Sequence, residues 1–305
     1  MTSVPVPVPS PPASDGPAEA FRPTGPWCQR PVGIVGLGLI GGSLGLDLRH
    51  LGVEVRALVH REATAERARQ RGLATVVSTD PAVLAPCGLV VLALPLDRLL
   101  APAAELVAAL PPQAVVTDVG SVKAPVLARW SALVPRFVAS HPMAGTAQAG
   151  VDAGQRGLFR GRPWVATPHP ATDPEALQVV RGLAEAVGAA WLCCEPEAHD
   201  QAVALISHLP VLVGAALLQA AAGAEGDPAL VRRLASSGFA DTTRVGGGNP
   251  ELGTLMARCN RSAVLAALAE YRRALDQLEA RVQDSDWAAL QQTLQAGQEL
   301  RPEFL

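Results

Sequence analysis

Residues 31–52 read PVGIVGLGLIGGSLGLDLRHLG, and this stretch decides the fold. The run PVGIV predicts a short apolar strand, and it leads directly into a glycine-rich turn and a helical pattern. Gly36, Gly38 and Gly41 give the spacing G-x-G-x-x-G between that strand and that helix. Gly36 permits the tight turn, Gly38 lets the backbone approach a pyrophosphate, and Gly41 allows the helix to pack closely on the strand. The stretch therefore predicts a dinucleotide-binding unit.

The rest of the predicted cofactor site follows from one rule: ligands of doubly wound folds bind at the carboxyl ends of the strands. Leu39 and Ile40 open the first helix, whose N-terminus stabilises an anion. Leu94 and Pro95 end the later predicted strand at 89–95 and are expected to line the cofactor as well. No side chains with metal-ligand spacing accompany them, so no metal is predicted.

The position that recognises the ribose is expected about 20 residues beyond the glycines, at the end of the second strand. His60 occupies it and Arg61 follows. A cation there suits a 2′-phosphate, which favours NADP over NAD. Glu62 would reverse this preference if the register shifted by one residue, because a carboxylate bonds the 2′-hydroxyl of NAD. The alternative interpretation of Arg61 is a solvated residue at a helix start.

Strand and helix patterns alternate through the first two thirds of the chain. Because such alternation produces a parallel sheet with helices on both faces, it predicts an α/β fold, a Rossmann-type doubly wound, mostly parallel sheet. The segments at 164–168 and 189–196 are expected to be added strands of the same unit. The other predicted strands are 31–35, 53–59, 89–95, 114–120 and 137–142, and a charged helix is predicted at 63–72.

Strand signals stop after Pro196, and the remainder predicts an all-α dimerisation domain. Residues 199–223 are long, apolar and alanine-rich, but they contain polar residues and lack a flanking basic cluster, so a membrane span is disfavoured. A helix buried on all sides in an obligate dimer explains this hydrophobicity better. His199 and Asp200 are interpreted as capping a helix start. Residues 262–283 have apolar residues at three- and four-residue spacing and predict an amphipathic helix.

The 305 residues thus divide into three predicted parts. Residues 1–30 form a proline-rich, disordered leader, 31–196 the dinucleotide-binding domain, and 197–305 a helical domain for dimerisation and substrate binding. The net charge of −3 and an aromatic content of 4% argue against nucleic-acid binding. Five scattered cysteines predict reduced thiols in a cytoplasmic protein.

Three polar side chains follow the later strands, where a bound nicotinamide ring would lie. Ser121 and Lys123, the single lysine of the chain, follow the strand at 114–120, and His141 ends the strand at 137–142. The ordinary pKa of histidine lies near neutral pH, so His141 is a candidate general base. Ser121 is expected to bond to His141 or to a substrate hydroxyl. Lys123 is expected either to bind substrate or to anchor its loop by bonding carbonyls.

Five segments carry a family resemblance: GLGLIGGSL (36–44), TDVGSVK (117–123), SHPMAGT (140–146), HDQAVALISHLP (199–210) and SSGFADTTRVGGGNPELG (236–253). Together they resemble the prephenate/arogenate dehydrogenase family of tyrosine biosynthesis. The resemblance implies oxidative decarboxylation of a cyclohexadienyl substrate with NAD or NADP. It also implies a homodimer in which the C-terminal helices intertwine and complete the partner's site.

The same resemblance implies roles for individual residues. His141 matches the catalytic histidine, Ser121 a serine that contacts it or the ring hydroxyl, and Arg244 the arginine that binds a substrate carboxylate. Ser207 and His208 lie in the SHLP segment and are expected to bind substrate. Many prephenate-preferring members continue with a second histidine where this chain has Val211, which favours arogenate. Arg244 as a loop-anchoring ion pair is the alternative interpretation.

Two other classes of protein stay open at this point. One is another dehydrogenase with a Rossmann domain and a helical domain, such as a β-hydroxyacid dehydrogenase. Such enzymes place their key lysine or binding residues in helices of the second domain, and that domain of this chain contains no lysine. The other is a non-catalytic regulatory module that binds NADP, which would leave Ser121, His141 and Arg244 without a purpose.

Overall fold

The computed structural model describes residues 25–146, 148–223 and 225–304. Its N-terminal part is built on a six-stranded parallel sheet with the strand order β3-β2-β1-β4-β5-β6. This order, in which the chain crosses over the first strand between the third and the fourth, is that of the Rossmann fold and confirms the predicted fold class. The strands are β1 Val32–Val35, β2 Val55–Leu58, β3 Val76–Ser78, β4 Leu89–Leu92, β5 Val115–Asp118 and β6 Phe137–Val138.

Helices cover both faces of this sheet, so its central strands are buried on both sides. Every residue of β1 and β4 is buried, which explains why both read as continuous apolar runs rather than as alternating ones. The sheet separates two apolar cores, one on each face. The helices are α1 Leu39–His50, α2 Glu62–Gln70, α3 Leu96–Leu100, α4 Ala104–Ala109, α5 Ala124–Ser131 and α6 Pro174–Ala186, with a 3-10 turn at Pro81–Leu84.

A second, three-stranded sheet corrects two predictions. It contains β7 Ser140–Pro142, β8 Pro163–Ala166 and β9 Ala190–Cys193, in that order. The segment 137–142 is therefore two strands in different sheets, and the strands at 164–168 and 189–196 do not extend the parallel sheet. The physical reason is pairing: β7 runs antiparallel to β8, and the Trp164 indole donates a 3.0 Å hydrogen bond to Ser140 Oγ. The short strand β3 was not predicted.

The N-terminal domain begins earlier than the sequence predicts. Residues 1–24 of the predicted leader lie outside the described residues. Within its last six residues, Pro26–Cys28 forms a 3-10 turn and Trp27 is buried in the main core. The indole lies against α6, where a Cβ on Gly182 would come within 2.6 Å of it. The prediction of disorder is thus corrected for residues 25–30, because an aromatic side chain anchors them.

The C-terminal part is helical throughout its described residues, as predicted. One continuous helix, Pro196–Ala222, replaces the predicted 199–223. It contains α7 Pro196–Val203, a π-helical segment Ala204–His208 and α8 Leu209–Ala222. The remaining helices are α9 Pro228–Leu234, α10 Ser237–Thr243, α11 Pro250–Cys259, α12 Arg261–Gln283 and α13 Trp287–Leu300, followed by a 3-10 turn at Arg301–Glu303.

The long helix Pro196–Ala222 is apolar enough to cross a membrane by length and composition. Only 28% of its most apolar window is buried inside the chain, so the expected burial on all sides does not occur within one subunit. Leu205 and Ile206 point into solvent, 49% and 57% exposed. Its first turns nevertheless pack against the N-terminal domain, where His199 and Asp200 make hydrogen bonds.

Candidate active site

The glycine-rich loop has the geometry that a bound dinucleotide requires. Gly36 has a φ of +94°, and a Cβ there would lie 2.4 Å from the carbonyl oxygen of Ala93. A Cβ on Gly41 would lie 2.0 Å from the Gly36 oxygen, so this glycine lets α1 pack against the turn. Gly38, by contrast, faces open space, and a Cβ added there would meet no described atom within 4 Å apart from those of its chain neighbours. The loop thus leaves a cradle at the N-terminus of α1, which fits a pyrophosphate group.

Two further pairs of predicted cofactor residues border this cradle. Leu39 and Ile40 form the first turn of α1 and are half-buried. Leu94 and Pro95 follow β4, and Pro95 is the N-cap of α3. All four lie at the carboxyl edge of the parallel sheet, as the glycine loop does.

The position predicted to recognise the ribose carries an exposed cation. His60 and Arg61 follow β2, both exposed, and Arg61 is the N-cap of α2. Glu62 belongs to α2 itself, and its carboxylate pairs with Arg69 at 2.7 Å. Among the described residues, Arg61 has no carboxylate partner. The register therefore keeps the cation, rather than the carboxylate, at the end of the strand.

Behind the cofactor edge, a buried ion pair ties β5 to β7. The Asp118 carboxylate pairs with Lys123 Nζ, and both side chains are fully buried. Lys123 Nζ also donates to the carbonyl oxygen of Ser140 at 2.7 Å, and Asp118 Oδ1 accepts from the Ser140 backbone N–H at 3.1 Å. Burial raises the pKa of Asp118 and lowers that of Lys123, while their mutual attraction opposes both shifts.

This arrangement corrects the assignment of Lys123 to substrate binding. Its ammonium group has no exposed surface and is held by Asp118 and Ser140. Of the two roles that the sequence left open, the structure therefore places Lys123 in the anchoring one. Because Ser140 directly precedes His141, this anchor fixes the backbone that carries the candidate base.

His141 is buried and bonded to a second histidine that the sequence interpretation did not assign to the site. Its Nδ1 lies 3.0 Å from His199 Nε2, and His199 Nδ1 lies 2.8 Å from Asp200 Oδ1. Asp200 in turn accepts hydrogen bonds from the backbone N–H groups of Lys123 at 2.7 Å and Ala124 at 2.9 Å. The predicted role of His199 and Asp200 as caps of their own helix was wrong, since α7 begins at Pro196. Asp200 instead caps α5.

The surroundings of His141 keep its imidazole neutral. Burial, the nearby His199, Lys123 and His208 together hold the pKa of His141 well below its ordinary value of 6.5. A neutral imidazole has one nitrogen free to accept a proton. Nε2 of His141 makes no hydrogen bond to any described residue, so this nitrogen is available to a ligand.

His208 lies at the end of the π-helical segment and presents an unused polar atom. Asn260 Nδ2 lies 3.3 Å from His208 Nδ1 and also donates to the Asp200 carbonyl at 2.7 Å. Nε2 of His208 is buried and has no partner among the described residues. Burial lowers the pKa of His208 to about 4, so the ring is neutral near neutral pH. A π-helical turn widens the helix locally, and such turns are frequent at functional sites.

The other predicted substrate residues are accessible. Ser121 and Ser207 are half-buried, and no described residue forms a hydrogen bond with either hydroxyl. Arg244 follows α10 and is exposed, and no described carboxylate pairs with it, which removes support for a loop-anchoring ion pair. The structure thus groups His141 with Lys123, His199, Asp200 and His208. Among the described residues, no hydrogen bond joins Arg244 to His141 within one chain.

The loop that carries Arg244 is held against α8 by two glycines. A Cβ on Gly246 would lie 2.2 Å from the backbone of Gly214 and Ala215, and a Cβ on Gly214 would lie 3.0 Å from Gly246. Gly214 lies six residues beyond His208, which is about 9 Å along a helix. The SHLP segment therefore belongs to the same helix against which the Arg244 loop packs.

The fold and the site define a class of protein: a nicotinamide-dinucleotide dehydrogenase with a Rossmann domain and a helical second domain. The family model described as "Prephenate dehydrogenase, nucleotide-binding domain" matches residues 44–192. The family model described as "Prephenate dehydrogenase, dimerization domain" matches residues 195–296. The chain belongs to the prephenate/arogenate dehydrogenase family.

Individual relatives agree with this assignment. The prephenate dehydrogenase of Bacillus subtilis (strain 168) is 30% identical over 264 residues, which are 83% of this chain and 70% of that protein. The crystal structure of Synechocystis arogenate dehydrogenase is 43% identical with a TM-score of 0.77, and the match covers 90% of this chain and 100% of that chain. Prephenate dehydrogenase from A. aeolicus, in complex with hydroxyphenyl propionate and NAD+, is 27% identical with a TM-score of 0.84, and the match covers 91% and 99%.

Proposed function

We propose that this dehydrogenase converts L-arogenate to L-tyrosine by oxidative decarboxylation and transfers the hydride to NADP. Prephenate, which would give 4-hydroxyphenylpyruvate, is the second candidate substrate. The observation that carries the proposal is the buried, neutral His141 with a free Nε2 at the carboxyl edge of a dinucleotide-binding sheet.

The reaction asks little of the protein beyond positioning and one base. The bound nicotinamide supplies a hydride acceptor. His141 takes the proton of the hydroxyl at C4 of the substrate ring as the hydride leaves that carbon. The carboxylate at C1 then leaves as carbon dioxide and the ring becomes aromatic, which drives the reaction. Ser121 is proposed to bond the same hydroxyl.

The substrate is an anion, and three residues are proposed to bind it. Arg244 is an exposed guanidinium with no carboxylate partner among the described residues, and arginine binds carboxylates through two parallel hydrogen bonds. His208 has a buried Nε2 without a partner in the described part of the chain, which would be satisfied by a ligand. Ser207 adjoins it with an accessible hydroxyl.

The experiment that tests the base is His141→Asn, with the exposed His50→Asn as its matched control. Loss of a general base should lower kcat by about 10²–10⁴-fold, with little change in NADP binding. His50→Asn should behave as the unchanged enzyme. Formation of the aromatic product is followed by its ultraviolet absorbance. Near-normal turnover by His141→Asn contradicts the role of His141.

NADP preference is supported by the exposed Arg61 at the end of β2 and by the pairing of Glu62 with Arg69. We expect a lower Michaelis constant for NADP than for NAD. Arg61→Ser should remove most of this difference, whereas Arg67→Ser, on the same helix and paired with Asp152, should not. Comparable efficiency of the unchanged enzyme with both cofactors would refute the preference.

Arogenate preference is supported by Val211, which follows the SHLP segment where many prephenate-preferring relatives have a second histidine. Val211 is half-buried and packs against the apolar core beside α11, where a Cβ on Gly253 would lie 3.3 Å from it. Steady-state kinetics with both substrates and both cofactors test this directly. A higher kcat/KM with prephenate would reverse the assignment. Tight NADP binding without turnover of either substrate would favour the non-catalytic module instead.

We also infer a homodimer formed through the C-terminal helices, in the cytoplasm. The dimerisation domain of the family matches this part of the chain, and most of the large apolar side chains that the described residues expose lie in its helices. Cys87, Cys193, Cys194 and Cys259 are free thiols, which is usual in a reducing compartment.

A further inference from the structure

The candidate base is the first of three buried side chains that are joined in a row by hydrogen bonds. His141, His199 and Asp200 are 9%, 3% and 6% exposed, and they are joined in that order by hydrogen bonds of 3.0 and 2.8 Å. His141 comes from β7, whereas His199 and Asp200 come from α7. The chain of bonds therefore joins the sheet domain to the first helix of the helical domain.

The direction of these bonds is set at the Asp200 end. Both carboxylate oxygens accept hydrogen bonds from backbone N–H groups, those of Lys123 and Ala124, which can only donate. These groups form the N-terminus of α5, where an anion is stabilised. An ionised carboxylate only accepts hydrogen bonds, so the bond to His199 requires a hydrogen on His199 Nδ1.

The hydrogen on His199 Nδ1 in turn determines which nitrogen of His141 carries a hydrogen. A neutral imidazole carries one hydrogen, so a neutral His199 with its hydrogen on Nδ1 has a lone pair on Nε2. His141 Nδ1 must then donate to that lone pair, and the lone pair of His141 lies on Nε2. We infer that His199 and Asp200 are positioning residues that hold His141 in its Nδ1–H tautomer and so present Nε2 as the proton acceptor.

This inference rests on the proposed function for its catalytic meaning, but the tautomer itself is a property of the protein alone. The other ionisable groups that face His141 are Lys123, which is bound to Asp118, and His208. A doubly protonated His199 would reverse the bonds, because its Nε2–H would donate to His141 Nδ1. Such a reversal would place the hydrogen on His141 Nε2 and block the base.

Three variants test whether kcat depends on the direction of these hydrogen bonds or only on their presence. In His199→Gln the amide oxygen can accept from His141 while the amide nitrogen donates to Asp200, so kcat should stay within about tenfold of normal. His199→Leu removes both bonds and should lower kcat by about 10²-fold or more. Asp200→Asn offers a donor to His199, which favours the wrong tautomer and should lower kcat by about 10³–10⁴-fold. The substrate KM should change little in all three. The exposed His50→Gln is the control.

Asp200→Asn also weakens the cap of α5, so its thermal midpoint must be compared with that of the unchanged protein. His199→Gln leaves that cap intact and keeps the inference falsifiable if Asp200→Asn fails to fold. A kcat as low in His199→Gln as in His199→Leu would overturn the inference, because the Gln variant restores both hydrogen bonds.

A second measurement does not depend on turnover. Nitrogen-15 NMR of the histidine rings distinguishes the two tautomers, and the resonances are assigned from His141→Asn and His199→Gln. We expect Nδ1–H for His141 in the unchanged protein and in His199→Gln, and Nε2–H in Asp200→Asn. A hydrogen on Nε2 of His141 in the unchanged protein overturns the inference. An Nδ1–H tautomer without turnover of either substrate would instead refute only the proposed function.

Discussion

At the scale of single residues, glycine has two different roles in the glycine loop: close packing at Gly41 and open space at Gly38. At Gly41 the absence of a side chain is required by the protein itself, because a Cβ would overlap the Gly36 backbone. At Gly38 the protein leaves open space, so the fold itself does not require the absence of a side chain, and we propose that it serves a ligand. Substitutions should therefore separate folding from cofactor binding within four residues of chain.

Gly38→Ala should leave thermal stability nearly unchanged and raise the KM for the cofactor at least tenfold, because the new methyl group enters the space where the pyrophosphate approaches. Gly41→Ala should lower the free energy of unfolding by about 1–3 kcal/mol, because backbone atoms must move to admit the methyl group. Thermal denaturation and cofactor titration measure the two effects. Equal loss of stability in both variants would contradict this separation.

The pKa of His141 predicts a particular pH profile. Burial lowers this pKa well below 6.5, so the imidazole remains neutral and able to accept a proton as the pH falls to that value. Protonation below the lowered pKa removes the base, so kcat/KM should fall only on the acid side of about pH 6.5. Kinetics between about pH 5 and pH 8 measure it. A descending limb centred at or above pH 6.5 would show that the site does not depress the pKa.

At the scale of elements, helix Pro196–Ala222 connects most of the candidate site. Its first turns carry His199 and Asp200 against the sheet domain, its π-helical segment carries His208, and its last turns hold the Arg244 loop through Gly214. A shift of the loop against this helix should change substrate binding without touching the cofactor.

Gly246→Ala tests this connection, because its Cβ would lie 2.2 Å from the backbone of α8. We expect the substrate KM to rise by about tenfold or more while the cofactor KM is unchanged, since a displaced carboxylate clamp weakens ground-state binding. Gly238→Ala in α10 is the matched control, because its Cβ would meet nothing within 4 Å beyond its chain neighbours and the backbone of its own helix. An unchanged substrate KM in Gly246→Ala would separate the Arg244 loop from substrate binding.

The sequence alone predicted those elements that are determined by residues adjacent in the chain. The β1–α1 unit was predicted because strand, glycines and helix are adjacent in the chain. The split between β6 and β7 was not predicted, because it depends on pairing with β8 more than 20 residues away. His199 and Asp200 were missed for the same reason: their partners lie 58 and 77 residues away. The histidine pair in HDQAVALISHLP was the available signal.

At the scale of the whole molecule, exposed apolar surface is concentrated in the helical domain. Apart from Val76 and Leu192, all the exposed large apolar side chains of the described residues lie beyond residue 204. These side chains are Leu205, Ile206, Leu217, Leu230, Leu234, Leu252, Leu265, Tyr271, Leu275, Val282, Trp287, Leu294, Leu300 and Phe304. An exposed apolar surface of this kind marks an interface.

Mixed dimers should reveal whether the partner completes the site. In a two-fold dimer that shares residues across the interface, a His141→Asn subunit paired with an Arg244→Gln subunit has one intact site. A random equal mixture of the two variants should then show about a quarter of the activity of the unchanged enzyme. Light scattering should first show twice the chain mass of 31.6 kDa. No recovery on mixing would place His141 and Arg244 of each site in the same subunit.

The complete burial of Lys123 has a practical consequence, because it is the only lysine among 305 residues. Reagents that acylate lysine amines should leave this side chain unmodified in the native protein and reach it only in unfolded molecules. Mass spectrometry of one tryptic peptide would then report the fraction of denatured protein in a crude preparation, without an added probe.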